Sequence, residues 1–87
     1  MAEPFARFEW MGRQVLCYLR PGTQCDDLPS LAEEASGSCR ECDSLEQLDS
    51  AMDAVAARHD LAAERTPEEV HEAVDQVVSF GFMPRMR

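Results

Sequence analysis

The sequence predicts an α+β domain: an N-terminal β-hairpin, alone or extended to a small antiparallel sheet, packed against two antiparallel helices. Three observations predict it. Apolar residues alternate along 5–20, they recur at helical spacing along 44–63 and 67–80, and Pro, Gly and capping residues punctuate the chain between these segments. Eighty-seven residues suffice for one small domain with a modest core. An apolar fraction of 45% is ordinary for a globular chain, so the strong acidity described below is not a sign of disorder.

The hairpin is read from residues 5–20. Gly12-Arg13 suits a two-residue turn with glycine first, the type II′ pattern. That register sets Met11 against Gln14, Trp10 against Val15, Phe8 against Cys17 and Ala6 against Leu19. Period-two alternation then gathers Ala6, Phe8, Trp10, Val15, Cys17 and Leu19 on one apolar face. Arg7, Glu9, Met11, Gln14, Leu16, Tyr18 and Arg20 share the other. Pro21-Gly22 ends the second strand as a turn. The stretch Asp27 to Ser36 is compatible with a short helix, with Asp27 or Ser30 near its start and Gly37 past its end. Residues 36–43 read as a loop by composition.

The helix over 44–63 opens on Ser44 and Gln47, a capping-box spacing. Leu45, Leu48, Met52 and Val55, continued by His59 or Ala62, form its apolar stripe. In the helix over 67–80, Thr66 is the cap, Pro67 takes the first helical position and Glu69 closes the box. Val70, Val74, Val77 and Val78 face inward, Gly81 fits the position just past the end, and Phe82 packs back. Residues 83–87 are expected to be a mobile tail.

Charge is the most informative property. Between Pro21 and Met83 stand fifteen carboxylates and three arginines, and the chain carries a formal charge of −9. On the first long helix Glu46, Asp49 and Asp53 fall at helical spacing, extended by Asp60 and Glu64. On the second, Glu68, Glu72 and Asp75 repeat the pattern. Neighbours three or four apart on a helix lie about 5–6 Å from one another, so each series makes a ridge of like charge. Such a ridge attracts basic partners and repels nucleic acid, which requires clustered Arg or Lys. The chain contains no Lys, Asn or Ile, residues with A/T-rich codons, which points to a GC-rich bacterial genome. Met1-Ala2-Glu3-Pro4 lacks the basic start of a signal peptide, and no stretch approaches the roughly 18 apolar residues of a membrane span. A soluble, cytoplasmic protein is expected.

Other constellations are thinner. Cys39-x-x-Cys42 has zinc-knuckle spacing, with Cys25, and His59 or His71, as further candidate ligands. Cys17 falls on the apolar hairpin face, where a small residue is wanted. The competing reading is of reduced, structural thiols. Glu33/Glu34 and Glu68/Glu69 are adjacent in sequence, so their carboxyls do not converge on one reacting atom. There is no nucleophile–base pairing and no glycine-rich phosphate loop, so an enzyme is not expected, nor a cofactor.

In size, acidity and lack of catalytic motifs, the chain resembles the small acidic inhibitors that phages and mobile elements encode, anti-CRISPR proteins and other DNA mimics among them. That resemblance implies a protein that occupies a basic nucleic-acid-binding surface, plausibly on a CRISPR effector subunit, and blocks DNA access. The residues expected to carry it are the eight ridge carboxylates. Two other readings stand beside it. One is a small adaptor, antitoxin-like or chaperone-like module that uses Met11, Leu16 and Tyr18; the other is a zinc-stabilised module.

Overall fold

The computed structural model describes residues 3–64 and 77–85. Within them the chain forms β1 (Ala6–Trp10), β2 (Arg13–Leu19), α1 (Leu28–Arg40), α2 (Leu45–Arg58), β3 (Leu61–Glu64) and β4 (Val77–Pro84). The strands make one four-stranded sheet in the order β1-β2-β4-β3. β1–β2 and β3–β4 are antiparallel, while the central β2–β4 pair is parallel. The fold is α+β, with the N-terminal hairpin and both helices packed on the sheet. α1 lies over β1 and α2 over β3.

The hairpin forms one step away from the expected register. Met11 and Gly12 are the turn, both at positive φ (49° and 77°), which is the type I′ signature. Trp10 therefore faces Arg13, Phe8 faces Val15 and Ala6 faces Cys17. Type I′ suits the right-handed twist of the strands, and Gly12 absorbs one of its two left-handed positions. The partners differ from the expected ones by two residues, an even step, so the apolar face is unchanged. Ala6, Phe8, Trp10, Val15 and Cys17 are all buried. The Phe5 N–H donates to the Cys17 carbonyl (2.8 Å), opposite Ala6, so two residues stand against one as in a bulge. The Phe5 ring packs against Phe82, with centroids 5.5 Å apart.

α1 is longer than the short helix allowed for over Asp27 to Ser36, and most of the expected loop 36–43 belongs to it. Asp27 caps it by accepting from the Ser30 N–H, and Pro29 sits in its first turn. Leu31, Ala35 and Cys39 form its buried stripe at four-residue spacing. Two of the three are small, which is why the periodicity is faint in the sequence.

α2 begins as expected. Ser44 accepts from the Gln47 N–H, and the Gln47 side chain accepts from the Asp43 N–H at 2.7 Å. Leu48, Met52, Val55 and Ala56 are buried, and the helix stops at Arg58 rather than running to 63. Asp60 adopts a left-handed φ of 58° and turns the chain into β3.

Residues 77–80, expected to end a helix over 67–80, are strand, and so are Gly81–Pro84, expected as the helix stop and a mobile tail. The valine spacing suggested a helix. The composition Val77-Val78-Ser79-Phe80-Gly81-Phe82 is nevertheless that of a central strand, β-branched and aromatic and buried on both faces. Val78, Phe80 and Phe82 lie beside Val15, Cys17 and Leu19 on the helix-covered face. The remainder of that expected helix, with its cap at Thr66, lies outside the described residues. Trp10 Nε1 donates to the Cys42 carbonyl (2.7 Å), tying the end of β1 to the end of α1. The Cys39 thiol contacts Met52 Sδ (3.1 Å), tying α1 to α2.

Candidate protein-binding surface

The acidic residues do not form one continuous ridge from Glu46 to Glu64. Glu46, Asp49 and Asp53 lie along α2, Asp60 sits in the turn after it, and Glu64 ends β3. The fold brings β3 back beside the helix, and there Glu64, like its strand partner Gly81, turns its side chain to the sheet face opposite Phe82 and the helices. Asp49, Asp53 and Glu64, with Ala63 and Phe80, line one open groove of about 300 Å³ between α2 and the sheet. Glu46 and Asp53 are exposed, and Asp49 is half-buried. Glu68, Glu72 and Asp75 lie outside the described residues.

Glu64 is held from below. Its strand partner is Gly81, across which the Arg20 side chain runs from the end of β2 to a Glu64 oxygen 3.8 Å away. A Cβ at position 81 would stand 2.5 Å from Arg20 Nε, so glycine leaves the room that Arg20 needs. Sequence reasoning missed this strap, although the small residue in an otherwise bulky strand was its signal.

A second cluster joins the two helices. Glu34 on α1 accepts from Arg58 Nε (3.2 Å) and lies 3.1 Å from His59 Nε2, while Arg58 also reaches Ser38 Oγ at 3.5 Å. The Arg58 hydrogen bond, followed by His59, holds the Glu34 carboxyl below its ordinary range. His59, expected in the apolar stripe of its helix or as a metal ligand, thus serves an interhelical clamp.

Cys17, Cys39 and Cys42 are poor candidates for thiolate chemistry. Burial, then neighbouring Cys39, pushes Cys17 up to about 12; burial, then neighbouring Cys42, pushes Cys39 up to about 12. Burial, then Asp43 and Glu41, raises Cys42 as well. The pair also occupies the C-terminal end of α1, where the helix dipole opposes a negative sulfur. Among the described residues no three His, Cys, Asp or Glu converge as metal ligands, so Cys25, Cys39 and Cys42 do not make the alternative sulfur site.

On the hairpin, Leu16 and Tyr18 are half-buried, while Met11 is 67% exposed at the turn rather than beside them. They do not make the single apolar patch that an adaptor reading assumes. Among the described residues no helix is long and apolar enough to cross a membrane. Comparison of the chain with protein-family models, curated proteins and solved structures gives no match.

Proposed function

We propose that this protein is an acidic inhibitor that binds a basic nucleic-acid-binding surface of a partner protein and blocks access of DNA, in the manner of the anti-CRISPR DNA mimics. One observation carries the reading: Glu46, Asp49 and Asp53 follow one another along α2, and Asp49 and Asp53 line an open groove between that helix and the sheet. A guanidinium or ammonium entering that groove meets the carboxylates of Asp49 and Asp53. Phosphates of a duplex present charge to a basic cleft in a comparable way, although more densely, at about one per 1.7 Å of helix axis. Charge complementarity of this kind speeds encounter and makes affinity fall with salt. A CRISPR effector subunit is the target class that the resemblance suggests.

The test is capture of partners from a GC-rich bacterial lysate, with and without competing duplex DNA. Retained proteins should be DNA-binding, should elute with salt, and should be displaced by the duplex. A Glu46→Arg/Asp53→Arg variant, altered only at exposed positions, should fold normally and retain none of them. A partner indifferent to salt, to DNA and to this double reversal would sink the proposal.

A further inference from the structure

The flank of the sheet opposite the acidic groove presents a different pattern. β1 is an edge strand, and among the described residues nothing pairs with its outer side. Trp10 and Arg13 flank a two-residue turn, so they form a hydrogen-bonded pair, and alternation makes Phe8 and Ala6 the next such residues. The backbone N–H and C=O groups of Arg7 and Glu9 therefore point outward from the sheet. Both side chains are exposed.

Beside this edge runs an open groove of about 590 Å³, lined on the strand side by Phe5, Ala6 and Arg7. Its other wall is the flank of α1: Ala32, Glu33, Ser36, Gly37 and Arg40. Small residues sit at the middle of that wall, and a charge of opposite sign stands at each end.

We propose that two copies of this chain pair through their β1 edges, antiparallel about a twofold axis at Phe8, to form a continuous eight-stranded sheet. The strand reads Ala-Arg-Phe-Glu-Trp, which is self-complementary in that register. Arg7 of each copy meets Glu9 of the other, and those are the two residues whose backbone groups face outward, so main-chain bonds and charge agree on one alignment. A shift by one residue would set inward-pointing groups against outward ones. A shift by two would break both Arg7–Glu9 pairs and set Arg7 against Arg7 or Glu9 against Glu9.

The helix flank supports the same axis independently. α1 runs in the direction of β1, since Trp10 reaches the Cys42 carbonyl at the far ends of both. Stepping back from Cys42 to the Ser36–Gly37 bond is about 8 Å of helix, and from Trp10 to Phe8 about 7 Å of strand. The axis that passes Phe8 therefore passes near Ser36–Gly37. Antiparallel helices centred there set Ser36 against Gly37 and Glu33 against Arg40 of the opposite copy. Small side chains at the crossing let the backbones approach, and the ends pair by charge. Two elements with unrelated sequences are thus each self-complementary about a common point.

The experiment is sedimentation velocity on the whole chain from micromolar to high micromolar concentration. The wild type should show a concentration-dependent dimer. Glu9→Arg should weaken it at least about tenfold, because it places two Arg–Arg contacts in each dimer. The same change makes the chain two charges less negative, so general repulsion falls and cannot explain a loss. Arg7→Glu should act alike, and Arg7→Glu/Glu9→Arg should restore the dimer. Gly37→Gln adds a side chain where a Cβ meets nothing within 4 Å in the single chain. It should leave or raise the melting temperature while weakening association. A chain that stays monomeric throughout, or a dimer indifferent to Glu9→Arg, would overturn the proposal. So would a monomer that instead takes up a foreign strand along β1. All of these positions lie on the flank opposite Glu46 and Asp53, so failure here leaves the inhibitor reading standing, and the reverse holds too.

Discussion

The two edges of this sheet are made from similar parts and carry opposite kinds of information. Along α2 the charge is of one sign from Glu46 through Asp49 to Asp53, and Arg58 at its end is turned to Glu34. Along β1 and α1 the signs alternate, from Arg7 and Glu9 on the strand to Glu33 and Arg40 on the helix. A surface of one sign repels its own copy and attracts a foreign partner of the other sign. A surface of alternating sign, arranged about a midpoint, fits itself. A net charge of −9 describes the first edge and conceals the second.

The strongest way to erase the difference is to remove what the edges share. Phe82 is fully buried, sits between Leu19 of β2 and Ala63 of β3, and packs at a tilt against Phe5. Phe82→Ala should cost about 3–5 kcal/mol, much of the stability of so small a domain. Urea denaturation should show a single lowered midpoint, with partner capture and self-association lost together. Loss of one without the other would mean that the edges fold independently.

A smaller change sharpens the β1 side alone. Met11 holds a left-handed φ at the hairpin turn, which a long side chain adopts at a cost and asparagine tolerates. Met11→Asn should raise stability by about 0.5–1 kcal/mol, read as a shift in denaturation midpoint at unchanged slope. It leaves the acidic groove untouched.

The smallest effect concerns the link between the two flanks. Glu34 of α1 is bound by Arg58 and His59 at the end of α2, and its carboxyl is shifted down. A carboxyl with a lowered folded-state pKa adds stability above its ordinary value of 4.5, and that stability is lost as pH falls through the lowered folded value. The melting temperature of the wild type should exceed that of Glu34→Gln slightly at pH 6 to 7. The gap should close as the pH drops below 4. Because the clamp is partly exposed, added salt should narrow the gap at neutral pH as well.

The hairpin and the start of α2 were legible in the sequence because local chemistry specified them. Gly12 marked the turn, Ser44 with Gln47 marked the cap, and period-two alternation marked the buried face whatever the register. The register itself was not legible, since a two-residue slip keeps every side chain on its face. Nor was β4, where Val77 and Val78 satisfy helical and strand patterns alike, and only the neighbours β2 and β3 decide. The acidic groove was half legible. Helical spacing placed Glu46, Asp49 and Asp53 on one element, but the turn at Asp60 that ends the helix and sends Glu64 to the other face of the sheet depends on a single left-handed residue. The alternating charges of β1 and α1 are plain in the sequence, yet they mean something only once α1 is known to lie over β1.

The parallel β2–β4 seam also bears on how fast the molecule can fold. Each outer pair closes a short loop: Trp10 meets Arg13, and Glu64 meets Gly81. The seam instead joins Gln14 to Val77, about sixty residues away. The seam is therefore the costliest closure in the sheet and the slowest pairing to form. Pairings of such sequence separation slow folding more than they change stability.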